Sequence, residues 1–100
     1  MITTYLFKIG LMTFILNDES SGIGYSSPRI FVCFPDNSCL NFDLYLGAVF
    51  TMTEQDFMSW LDGSEIKLNT IEEIQEVFSN LSLSFEAFQD VINTFPKYFE

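Results

Sequence analysis

The chain has 100 residues, enough for one domain with a single core that needs neither metal nor disulfide to hold it. Fourteen acids stand against four bases (Lys8, Arg29, Lys67 and Lys97), a net charge of −10, and there is no histidine. That balance argues against direct nucleic-acid binding, which needs clustered Lys/Arg, and the missing histidine excludes a Ser-His-Asp triad, a Cys-His dyad and the common zinc sites.

The charge is unevenly spread. Residues 1–50 carry four acids and two bases, a net of −2, whereas residues 51–100 carry ten acids and two bases, a net of −8. A basic partner surface is the natural complement, although acid excess also keeps a small protein soluble.

The opening run MITTYLFKIGLMTFILN is apolar, but no basic residue precedes it, Lys8 lies inside it and no A-x-A-like site follows. It is a poor signal peptide and short for a membrane span, so a buried strand and a cytoplasmic protein are expected. Apolar positions favour odd numbers before Gly10 (Tyr5, Phe7, Ile9) and even numbers after it (Met12, Phe14, Leu16). A phase change at glycine predicts either one bent strand or two short ones. Residues 17–28, NDESSGIGYSSP, read as a Gly/Ser loop. Its G-x-G lacks the third glycine, the lysine and the helix start of a phosphate cradle.

The segment IFVCFPDNSCLNFDLYL predicts a hairpin around Pro35-Asp36-Asn37, with Asn37 at the left-handed position. A three-residue loop pairs Cys33 with Cys39, Phe31 with Asn41 and Arg29 with Asp43. Ile30, Val32 and Phe34 then share a face with Leu40, Phe42 and Leu44. A four-residue loop would set apolar residues against polar ones along the ladder. Facing cysteines are close enough to bond, but two thiols beside a turn are expected in a reducing compartment.

After Gly47 the pattern reads as helical. Thr53 with Asp56 marks a first helix carrying Phe57, Trp60 and Leu61 inward, which Asp62-Gly63 ends. EIKL reads as a short edge strand. Thr70 with Glu73 forms a capping box for a second helix, with Ile71, Ile74, Val77, Phe78 and Leu81 as its stripe and Asn80 as its C-terminal cap. Ser84 starts a third helix with Phe85, Phe88, Val91, Ile92 and Phe95 inward, stopped by Pro96. Strands first and helices afterwards predict one α+β domain: a β-rich half (1–47) and an acidic helical half (48–100). The expected architecture is an antiparallel sheet, made of the N-terminal strand and the hairpin, covered on one face by two or three helices.

No catalytic pair, metal set or cofactor motif stands out, so no enzyme activity and no cofactor are expected. The acids do stand out. Glu72, Glu73 and Glu76 project away from the second helix's stripe, and Glu86 with Asp90 repeats the i, i+4 like-charge spacing of Glu72 with Glu76. Each such pair repels by a few tenths of a kcal/mol, roughly, and no lysine relieves it at Gln75, Ser79 or Gln89. Helix dipoles account for Glu72 and Glu73 but not for Glu76 and Asp90. The sequence therefore predicts a non-enzymatic inhibitor that binds a basic, nucleic-acid-handling surface through Glu72, Glu73, Glu76, Glu86 and Asp90. Anti-CRISPR and anti-restriction proteins of phages and mobile elements are of this physical type. Two alternatives share the composition: an immunity protein masking a toxin, and a homodimeric module using Phe31 and Tyr45, with Tyr98 and Phe99, as an aromatic patch.

Overall fold

A computed structural model of the protein describes residues 3–18, 29–43 and 48–93. Most of the expected 17–28 loop, Leu44, Tyr45 and everything from Thr94 onward, including Phe95, Pro96, Tyr98 and Phe99, lie outside the described residues.

Five strands form an antiparallel meander: β1 (Thr3–Ile9), β2 (Met12–Asp18), β3 (Arg29–Cys33), β4 (Cys39–Asp43) and β5 (Ala48–Met52). A short β6 (Ile66–Lys67) adds in parallel to β1, giving the order β5-β4-β3-β2-β1-β6 among the described residues. The EIKL segment is thus an edge strand, as its sequence predicts. The helices are α1 (Glu54–Ser59), α2 (Ile71–Asn80) and α3 (Phe85–Asn93), and the chain is an α+β fold.

The phase change at Gly10 is a hairpin turn. Ile9 pairs with Met12, and Gly10 takes φ 61 at the first of two loop residues. A two-residue loop with positive φ only at its first position is the type II′ pattern, which suits the twist of the flanking strands. The second hairpin has the expected register: Cys33 opposite Cys39, Phe31 opposite Asn41, Arg29 opposite Asp43. Asn37 sits at φ 69, and the Phe34 N–H donates to the Ser38 carbonyl at 2.9 Å to close the loop. The Asp36 carboxylate accepts from both the N–H and the hydroxyl of Ser38, at 3.0 and 2.6 Å.

Two expectations need correcting. Residues following Gly47 do not turn helical at once, because Ala48–Met52 is a strand paired with β4. AVFTM is β-branched and aromatic, and the Thr53 cap, which accepts from the Asp56 N–H at 3.0 Å, holds the helix start after it. Nor do the helices share one face. Strand alternation sends Phe7, Phe14, Leu16, Ile30, Val32, Phe34 and Phe42 to one side, where Ile74 and Phe78 of α2 and Phe88 of α3 cover them. Ile15, Phe31 and Cys39 point to the other side and pack with Phe57 of α1. The sheet is buried between two unequal helical layers.

The larger core is largely phenylalanine. Phe7 stacks on Phe14 at 5.2 Å, and Phe88 meets Phe14 edge-on at 5.4 Å and lies tilted against Phe78 at 5.1 Å. Such ring pairs contribute about 0.5–1.5 kcal/mol each beyond area burial. Asn17 is the single buried polar residue among those described, and it belongs to β2, not to a loop. No helix among the described residues is long and apolar enough to cross a membrane.

Candidate functional site

The α2–α3 layer presents the predicted acidic residues. α2 starts at Thr70, whose hydroxyl accepts from the Glu73 N–H at 3.2 Å, while the Glu73 carboxylate accepts from the Thr70 and Asn69 N–H groups at 3.1 and 3.0 Å. Ser84 starts α3 by accepting from the Ala87 N–H at 3.1 Å. Ile74 and Phe78 of α2 and Phe88 of α3 anchor the pair on the sheet, which leaves Glu72, Glu76, Glu86 and Asp90 on the exposed surface. Glu73 is exposed as well, but its carboxylate is already engaged in the cap. That bond explains its presence without a partner.

Between residues 71 and 93 there is no lysine or arginine. The last turns of α1, α2 and α3 also lack basic residues, so none of these helices carries its own cation at its negative end. The bases among the described residues, Lys8, Arg29 and Lys67, all lie in strands. Among the described residues, charge is thus segregated by layer: the bases lie in the sheet, and the α2–α3 helices carry acids and no base.

A groove of about 570 Å³ runs along this layer. Ile9, Ile71 and Phe85 form its apolar side, and Glu86, Gln89 and Asp90 its polar side. Ile71, expected to point inward, is 43% exposed and contributes to the groove instead of the core. An apolar strip beside two carboxylates suits the aliphatic stem and charged head of a lysine or arginine. Sequence spacing locates Glu86 and Asp90 one turn apart; it does not reveal that Ile9, from the far end of the chain, completes the wall.

Phe31 must be removed from the candidate surface. It is 1% exposed and stacks on Trp60 at 5.1 Å, because α1 covers the hairpin face that reads as polar in sequence. Tyr45 lies outside the described residues. Exposed apolar side chains occur instead on β5, at Val49 and Phe50.

Cys33 and Cys39 are free thiols. Burial, reinforced by a hydrogen bond with Cys33 and nearby negative charge, pushes the Cys39 thiol up to about 12, so it is no nucleophile near neutrality. Among the described residues, no three His, Cys, Asp or Glu side chains are grouped to hold a metal ion. No protein-family model matches the chain, and no curated protein or solved structure matches it either.

Proposed function

We propose that the protein is a non-enzymatic inhibitor that docks its α2–α3 layer on a basic surface of another protein, one that ordinarily handles nucleic acid. The supporting observation is the layer's composition: Glu72, Glu76, Glu86 and Asp90 are exposed across two adjacent helices that carry no base. Neighbouring carboxylates on a helix stand about 5–6 Å apart, a spacing that approaches that of phosphates along a nucleic-acid strand. A protein cleft lined by lysine and arginine would meet them as it meets its substrate. Encounter is then steered by charge and weakens with salt. The reading places the protein with inhibitors of the anti-CRISPR or anti-restriction type. An immunity protein neutralising a toxin would use the same surface, and the identity of the partner distinguishes the two.

Capture from host lysate tests this. The tagged protein retains a basic or nucleic-acid-binding protein at about 0.05 M salt and releases most of it at about 0.5 M. Retention that is indifferent to salt, or recovery of no basic protein, contradicts the proposal.

A further inference from the structure

On the opposite side of the sheet, at the α1 face, Asn17 raises a separate question. Its side chain is 0% exposed, and neither its carbonyl oxygen nor its amide nitrogen has a hydrogen-bond partner in the protein. A buried carboxamide in that state is costly, and such groups are rare in folded proteins. Strand register sets Asn17 opposite Thr4 in β1 and Arg29 in β3. The residue lines a cleft of about 460 Å³ together with Thr3, Thr4, Ser59, Asp62 and Ser64. Trp60 and Ile66 supply the apolar walls. Small-molecule sites commonly span about 300–1,000 Å³ and combine apolar walls with a few convergent polar groups.

The wall chemistry narrows the ligand. The Ser64 N–H and hydroxyl donate to Asp62 Oδ1 at 2.9 and 2.5 Å, and these bonds hold the Asp62 carboxyl below the usual carboxylate range. The Ser59 hydroxyl donates to the Asp56 carbonyl at 2.6 Å. With their protons engaged, Ser59, Ser64 and Asp62 offer oxygen acceptors to the cleft, while Asn17 offers one acceptor and two donors. Among the described residues that line the cleft there is no lysine or arginine, and the Asp62 carboxylate repels a phosphate or carboxylate. An apolar ligand would leave the Asn17 amide unsatisfied. What fits is an uncharged ring bearing adjacent hydroxyls, which donate to the rim and both donate to and accept from the floor. Its C–H face would lie against Trp60. We propose that this cleft binds a neutral sugar, with Asn17 at its floor and Asp62 at its rim. The site is independent of the acidic α2–α3 layer.

Trp60 is the only tryptophan in the chain, so its fluorescence reports on the cleft directly. The full-length protein is titrated with glucose, N-acetylglucosamine and glucose 6-phosphate, alongside Asn17→Leu and Asp62→Asn variants. The expected result is a saturable change with at least one neutral sugar, with the phosphorylated sugar about tenfold weaker or worse. Each variant should weaken the neutral sugar by about tenfold, the effect of roughly one lost charged or buried hydrogen bond. Asp62 is exposed, so Asp62→Asn decides the matter even if Asn17→Leu fails to fold. No saturable response to either neutral sugar, or a midpoint unchanged in Asp62→Asn, overturns the proposal; Asn17 would then be satisfied by water alone.

Discussion

At Asn37 the backbone stands at φ 69, where a side chain with a Cβ costs about 1–2 kcal/mol unless it is Asn or Asp. Asn37→Gly should therefore leave stability unchanged or slightly higher, whereas Asn37→Val should lower it by about 1–2 kcal/mol, read from the urea midpoint. This residue was legible in sequence because turn chemistry is local: Pro-Asp-Asn between apolar runs admits few alternatives. Ser82 was not. It takes φ 58 just beyond α2, where the Leu83 N–H bonds the Phe78 carbonyl at 2.8 Å and the Ser82 N–H bonds that of Ser79 at 3.0 Å. This is a Schellman ending with serine in the usual glycine place, and it displaces Asn80 from the capping role that its side chain suggests. Asn17 was illegible for a related reason, since its neighbours in sequence spell a loop and only strand pairing buries it. Cys39 carries a pH signature. Its folded thiol stays protonated up to about pH 12, against an ordinary value of 9.0, so the folded state holds a proton that the unfolded state loses between those values. Stability should accordingly fall as pH rises above 9, and Cys39→Ala should remove part of that fall in denaturation curves taken on both sides of 9.

Among the elements, α2 has the most explicit start signal, and Thr70→Ala should cost about 1 kcal/mol by removing the hydroxyl that accepts from the Glu73 N–H, while the Glu73 carboxylate keeps its bond to the backbone N–H of residue 70. Circular dichroism during thermal unfolding would register it; an unchanged midpoint would mean that packing of Ile74 and Phe78 alone sets the helix. The hairpin register could be read from parity because a one-residue slip exposes every core side chain of two strands at once. Which layer covers which face could not. The odd face of β3 and β4, with Cys33, Asn41 and Asp43, looks solvent-facing until α1 is seen to lay Phe57 and Trp60 across it. A six-residue helix directly after a strand leaves a weak periodic signal, and the five residues of AVFTM are too few to separate strand from helix by period.

For the whole molecule, charge segregation by layer is the property on which the functional reading stands. Its existence was visible as the −2 and −8 split of the two halves, since net charge needs no fold to be counted. Its shape was not, because the sequence could not show that Glu73 is spent on a cap, that Phe31 is buried, or that Ile71 turns outward beside Glu86 and Asp90. With Phe31 buried, the exposed Val49 and Phe50 of β5 offer a homodimer an apolar surface in its place. The inhibitor reading expects a monomer by sedimentation at high concentration, and a dimer abolished by Phe50→Lys would favour the oligomeric alternative. The most direct measurement replaces Glu72, Glu76 and Glu86 with Gln and Asp90 with Asn, confirms an unchanged circular dichroism spectrum, and repeats the low-salt capture against the parent protein. Loss of the retained basic protein by at least about tenfold, equivalent to about 1.4 kcal/mol, is the predicted result. Capture of the same protein at full strength by the neutralised variant would contradict it.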